Sequence, residues 1–274
     1  MQDFSDGSGE SGLIMPKFPQ LSSGALSQFP IAKRRRVRTV VNGAADGSSV
    51  KYPDPAAETL EWQLNYSSIS DDELSALQEF FLEAEGSLSA FTFLDPNGNL
   101  LSWSENLGDA VWTPDPFLAI SSGVADPQGG TNGWHLSNSG AGAQSITQIL
   151  NMPAGYTYCF SVYAKGALPL AAALTLGSQR GERVLDTTWS RMSIVGSGDS
   201  TVGSIGFGIE IPAGGAVDVF GPQVEAQEAA SAYKVSTTGG IYENVRFKDD
   251  ILTVTTTDVN RHAASMNLIY AKHL

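Results

Sequence analysis

The chain has 274 residues, 42% of them hydrophobic and only 16% charged, which excludes a disordered chain and gives room for two domains with cores of their own. A formal net charge of −13 argues against sequence-specific nucleic-acid binding, because phosphates call for Lys and Arg. A single cysteine excludes an intrachain disulfide framework and a cysteine zinc site, and without a run of 18 apolar residues no membrane span is predicted.

Residues 1–15 are polar and rich in Gly and Ser, and read as a loose arm. They lack the apolar core of a signal peptide, so the expectation is a protein made and kept inside a cell, or one leaving by a route other than secretion. A basic run from Lys33 to Arg38 leads into a predicted strand, Val37 to Val41. In an extended chain Arg34, Arg36 and Arg38 share a face, which makes them candidate inter-subunit contacts toward acidic groups near Asp71 or Glu83 of a neighbouring copy. Asn42-Gly43 and Asp46-Gly47 are turn dipeptides that send the chain back. From Glu58 to Tyr66 the pattern alternates: Leu60, Trp62, Leu64 and Tyr66 fall on one face and Glu61, Gln63 and Asn65 on the other, as in a half-buried antiparallel strand.

Ser70 and Glu73 form a capping-box signature, and Asp71 and Asp72 suit the first turn of a helix dipole. Leu74, Leu77, Phe81 and Ala84 make an apolar stripe with Phe80 beside it, and Gly86 is placed to end the helix. This helix, over about 70–85, must lie on a sheet, most simply the one holding Trp62. From Leu100 to about Thr238 no helix is evident. Short apolar runs separated by turn residues predict a β-sandwich, with strands at 145–150, 156–165, 171–176, 190–195, 205–211 and 216–224. After Gly240 come strands at 242–247, 251–257 and 264–270, with nothing local to pack on. A lone hairpin is marginal in water, so these strands are expected to complete the sheet begun before residue 95. The expected division is an arm at 1–15, a discontinuous host domain at 16–97 and 240–274, and an inserted sandwich at 98–239.

Candidate chemistry is sparse. No Gly-x-Ser-x-Gly elbow occurs, and Gly198-Asp199-Ser200 sits mid-sandwich and reads as a hairpin loop. His135, His262 and His273 show no metal-ligand spacing, so neither catalysis nor a cofactor is expected. Asp126 or Asp218 as a calcium ligand is weighed against an ordinary solvated or capping carboxylate, and the latter is preferred. Cys159, inside an apolar run, reads as a buried structural thiol. Trp112 and Trp189 read as core. Trp134 follows a Gly-rich stretch and reads as a loop indole, so Trp134 and His135 are the candidate glycan contacts.

Two resemblances follow from these segments. The basic strand, the alternating strand 59–66, the capped helix running into Phe91–Pro96, and the closing 244–252 segment together are similar to phage minor tail proteins of the tail tip or distal tube. The stretch 99–106 with Trp112, then 158–165, 188–191 and the 218–237 exit resemble the carbohydrate-binding-module-like jelly rolls of phage tail proteins. The resemblance implies a mainly β protein, a tail-tube-like sandwich or barrel with one packed helix plus an inserted jelly roll. It further implies a structural virion protein, made in the bacterial cytoplasm, forming a homo-oligomeric, six-fold ring with neighbouring tail proteins. The inserted domain would project outward to host-surface polysaccharide. The alternatives are a free-standing carbohydrate-binding protein and, behind it, a glycan-acting hydrolase or esterase.

Overall fold

The computed structural model describes residues 16–198 and 203–271; the arm at 1–15, Asp199, Ser200 and His273 lie outside the described residues. Among the described residues the protein is mainly β, with one α-helix and three sheets.

The first sheet collects strands from both ends of the chain, in the order β1 (Gln28–Gly43), β2 (Ser49–Ile69), β16 (Arg261–Ala271), β14 (Ile241–Phe247) and β3 (Phe91–Leu94), with β15 (Thr253–Asp258) on β16. Alternation on β2 places Leu60, Trp62, Leu64 and Tyr66 in the core, where burial of each contributes about 1.5–3 kcal/mol. Across from them lie Leu268 and Met266 of β16, in register with Trp62 and Leu64. Helix α1 (Asp71–Glu83) covers this face, and its capping box closes as the sequence predicts: Glu73 N donates to Ser70 Oγ at 3.2 Å and Ser70 N donates to Glu73 Oε2 at 2.9 Å. The buried stripe is Leu74, Leu77, Phe80 and Ala84; Phe81, predicted within it, is only half-buried, edge-on to Phe247 at 4.8 Å. Phe18, from the segment before β1, fills the remaining space against Phe80 and Phe93 at 5.5 and 5.3 Å.

The other two sheets form the sandwich. One runs β10 (Gln179–Leu185), β9 (Leu170–Leu176), β12 (Ser204–Ile211), β7 (Gln144–Asn151), β4 (Thr113–Pro114). The other runs β11 (Ser190–Ser197), β8 (Thr157–Gly166), β13 (Ala216–Glu225), β6 (Gly133–Asn138), β5 (Leu118–Val124). Phe207 of the first meets Phe160 and Tyr158 of the second at 5.7 and 6.2 Å. Strand β8 is buried on both faces over Tyr158–Val162. Tyr158, Phe160 and Val162 face the β10–β9–β12–β7–β4 sheet, while Cys159 and Ser161 lie under the returning segment 226–238. Burial pushes the Cys159 thiol up to about 11, aided by the Glu225 carboxylate and opposed by Arg191, so it stays protonated and apolar in behaviour.

The outgoing and returning connections between the first sheet and the sandwich run side by side. Asp95 N donates to Gly240 O at 2.8 Å, and Leu100 N to Val224 O at 2.8 Å. Asn99 fastens them, its Oδ1 accepting from Leu101 N and Val224 N and its Nδ2 donating to Pro222 O and Lys234 O.

Candidate functional site

The outer face of the β11–β8–β13–β6–β5 sheet is split in two by the return segment. Its lower part is covered: Tyr233 lies edge-on against Phe220 at 5.1 Å, and Arg191 reaches over Tyr163 to Ser231 O and Ser161 Oγ. Its upper part is open. Register puts Lys165 opposite Asp218 and Asp218 opposite His135, and because inward residues alternate with outward ones, all three stand on the exposed face. Trp189 immediately precedes β11, whose first residue pairs with Ala164, so its ring falls beside Lys165.

The resulting row is a connected polar array. Lys165 Nζ sits 4.9 Å from the centroid of the Trp189 ring, a cation–π contact, and 3.4 Å from Asp218 Oδ2. Asp218 Oδ1 lies 2.7 Å from His135 Nδ1. A cleft of about 350 Å³ opens here, lined by His135, Lys165, Gly166, Ala167, Thr187 and Asp218. The His135 side chain is 45% exposed and Trp189 half-buried, so both ring and polar groups are in reach of a ligand. Such a surface can offer an apolar ring to a C–H face and a hydroxyl-matching set of charged donors and acceptors beside it.

The opposite outer face, of the β10–β9–β12–β7–β4 sheet, is built differently. Gly208 lies between Thr147 and Thr175, where a Cβ would come within 2.5 Å of Thr175 Oγ1. Arg180 ties Glu182 and Glu210 together beside it at 2.9 and 2.8 Å. No aromatic ring stands on that face among the described residues.

The sequence-derived candidates fare unequally in geometry. Trp134 is not a loop residue: it is the second residue of β6, half-buried on the sandwich core, its Nε1 donating to Glu105 O at 3.0 Å. The register with Val219, an inward residue, turns it away from the cleft. His135, its neighbour, points the other way and into the row. Trp189, expected in the core, is the ring at the row's end. Lys165 and Trp189 carry no sequence signal as a pair, since β9 and β10 separate the strands that bring them together. Alternation along β8 is the one sign that Lys165 faces out. Asp126 spends both oxygens on backbone N–H groups, Oδ1 accepting from Gln128 and Gly130 at 2.8 and 3.0 Å and Oδ2 from Asn132 at 3.0 Å. Burial opposes its ionisation, yet these bonds prevail and hold its carboxyl below the usual aspartate range. It is a loop cap.

The three arginines stand on β1. Arg36 and Arg38 each have a carboxylate of β2 within 3.7 Å, Glu61 and Asp54. Arg34 has no ion pair within 4.0 Å among the described residues.

No family model matches the chain, and no curated protein does. Solved structures similar to parts of it include carbohydrate-binding modules and a phage tailspike domain. About half of the chain (51%) matches the whole (100%) of the C-terminal family 22 carbohydrate-binding module of Clostridium thermocellum Xyn10B, at 15% identity and a TM-score of 0.41. For TmCBM61, solved with β-1,4-galactotriose, 46% of this chain matches 97% of that one, at 14% identity and 0.35. For the enzymatically active domain of tailspike protein 4 of bacteriophage CBA120 the values are 46% of this chain, 21% of that chain, 13% and 0.37. The match thus spans about a fifth of the tailspike domain.

Proposed function

We propose that this chain is a carbohydrate-binding protein whose sandwich, residues 98–239, is the binding module, carried as an insertion by a domain built from both chain ends. The observation that carries the reading is the Trp189–Lys165–Asp218–His135 row above an open cleft. It combines a partly exposed indole with Asp218 and His135 already paired in register, so on that side of the row little side-chain ordering remains to be paid on binding. Trp189 supplies the stacking surface, with Lys165 shifting to admit a sugar ring. Asp218 accepts from hydroxyls, and His135 donates or accepts according to its tautomer. The test is a screen of neutral and charged oligosaccharides against the whole protein, followed by calorimetry on the best binder. Trp189→Ala and Asp218→Ala should each weaken it about tenfold or more, a loss of one stacked ring or one charged hydrogen bond. Binding indifferent to both substitutions would place the site elsewhere.

A second reading, a structural ring component of a tailed-phage virion, is favoured by a separate feature. Among the described residues β16 accompanies β2 as far as Thr59, opposite Arg36, and β1 and β2 continue together to Gly43 and Ser49. The extension is a two-stranded ribbon roughly 20 Å long that bears Val37, Val41, Val50 and Tyr52 on its surface. A bare ribbon of this kind is marginal in water, so docking on a neighbouring copy would stabilise it, with Arg38 at its base facing an acidic group of that copy. The two readings are compatible: the ribbon assembles, the sandwich binds.

A further inference from the structure

The face of the first sheet turned away from α1 carries an uneven charge set. Arg34 and Arg36 of β1 and Lys248, just beyond β14, converge on one carboxylate, Glu61 of β2. Lys248 Nζ is 2.9 Å from Glu61 Oε2 and Arg36 Nη2 3.7 Å from Glu61 Oε1, while Arg34 lines the same cleft without an ion pair among the described residues. Register extends the set: Arg34, Glu61, Ile269 and Arg246 form one row across β1, β2, β16 and β14. Three cations against one carboxylate leave a local surplus of two positive charges, before Arg246 is counted. The chain as a whole carries −13, so this surplus stands out.

Glu61 is nearly buried, at 12% side-chain exposure, and is held below the usual glutamate range, first by the hydrogen bond from Lys248 and then by Lys248, Arg36 and Arg34 as charges, against the cost of burial. It remains ionised and anchors Arg36 and Lys248, which leaves their outer N–H groups and the whole Arg34 fork free for a second anion. Two adjoining clefts of about 620 and 300 Å³ share Arg34, Glu61 and Lys248; the first continues past Arg36, and the second is floored by the amide side chains Gln63 and Asn267. One end of the groove is therefore cationic and the other an amide surface, where Asn267 Nδ2 donates to Asp249 Oδ2 at 3.4 Å.

We propose that this groove is a binding site for an acidic sugar, a carboxylate or phosphate group borne on a polyol. The oxyanion lies between Arg34 and Arg36, where guanidinium forks match it in a bidentate way, and the hydroxyls meet Gln63 and Asn267. The combined volume suits a small saccharide and exceeds what a bare ion needs. The site lies in a different sheet from the Trp189 cleft and does not depend on it.

The test is calorimetric titration of the full chain at low salt with trigalacturonate, with its carboxyl-reduced neutral counterpart, and with inorganic phosphate. The expected result is binding of the acidic trisaccharide that weakens roughly tenfold in Arg34→Gln and in Arg36→Gln and fades with added salt, each cation contributing one charge-assisted contact. Arg34→Lys should recover only part, because it loses the fork. Trp189→Ala should leave this binding unchanged, which separates the site from the sandwich cleft. Both arginines are exposed, and a thermal midpoint for each variant confirms folding; Lys248→Gln serves if either fails. The proposal is overturned by absence of binding, by equal affinity for the reduced sugar, by phosphate alone binding as tightly as the trisaccharide, or by indifference to the arginine substitutions.

Discussion

Lys33 and Asp95 show how one residue pair ties the first strand to the junction with the sandwich. Asp95 is buried, accepts from Asn97 N at 3.0 Å through Oδ1, and is paired through Oδ2 with Lys33 Nζ, which also lies 5.4 Å from the Trp62 and Tyr242 rings. Burial alone would lower the lysine pKa; attraction to Asp95 outweighs it and raises the value above 10.5. A raised lysine stabilises fully below its unfolded value and loses that contribution as pH climbs through the folded one, so this pair weakens only in alkali beyond the ordinary lysine range. Lys33→Met leaves a buried carboxylate uncompensated and should cost about 3 kcal/mol in urea unfolding, with Lys33→Met/Asp95→Asn recovering part. Asp126 carries the opposite sign. Its depressed pKa stabilises above the ordinary value of 3.8 and is lost as pH falls through the folded one. Asp126→Asn should therefore flatten the decline of the thermal midpoint below pH 4 while lowering it by a few degrees at neutrality.

At the scale of elements, what the sequence reveals depends on whether burial is periodic. Strand β2 alternates because one face is core, and α1 announces both its cap and its stripe; Ser70→Ala should cost about 1 kcal/mol, measured in denaturant, since it removes one half of the capping box. The strands of the sandwich that contain runs such as Tyr158–Val162 are equally plain. Those that escape notice bury little. β10, Gln179–Leu185, is an edge strand with only Leu185 buried, and β5 is mostly exposed. β6 follows a Gly-rich loop, which is why Trp134 looks like part of it. The β1–β2 ribbon reads as a short strand near Val37–Val41 because its outer half has no core side to impose a pattern. The candidate cleft is less legible still. His135, Lys165, Trp189 and Asp218 come from separate strands and meet only through cross-strand register, which no local pattern encodes. Replacing residues 38–54 by an Asn-Gly turn tests the ribbon. Light scattering should show the shortened chain monomeric where the full chain assembles, and unchanged mass would remove the ribbon from assembly.

The whole molecule turns on how the sandwich is attached. Leu94 of β3 lies directly opposite Ile241 of β14, and the next backbone pair, Asp95 N to Gly240 O, closes at 2.8 Å. The two points where the chain leaves and rejoins the first sheet are thus one strand spacing apart, a gap of about 5 Å that a two-residue turn spans. Trp62, Phe80, Phe91, Phe93, Phe247 and Leu268, fully or nearly buried at that sheet, all come from before Pro96 or after Gly239, within one buried apolar cluster that also takes in the sandwich interior. What crosses between the two bodies includes polar contacts at the segment before β1. Tyr156 OH donates to Phe18 O at 2.6 Å, and Gln20 exchanges two hydrogen bonds with the backbone of Thr157. Removing residues 98–239 and joining Asn97 to Gly240 through Gly should therefore leave a protein that unfolds in one cooperative transition, its midpoint lowered by loss of those three bonds but its near-UV signal from Trp62 retained. If the shortened chain instead shows no transition, the sandwich is part of the folding unit and not a passenger on it. The isolated 98–239 fragment discriminates from the other side: as an insertion it should fold and bind the same oligosaccharide as the whole protein, with Trp189→Ala weakening that binding to the same degree in both.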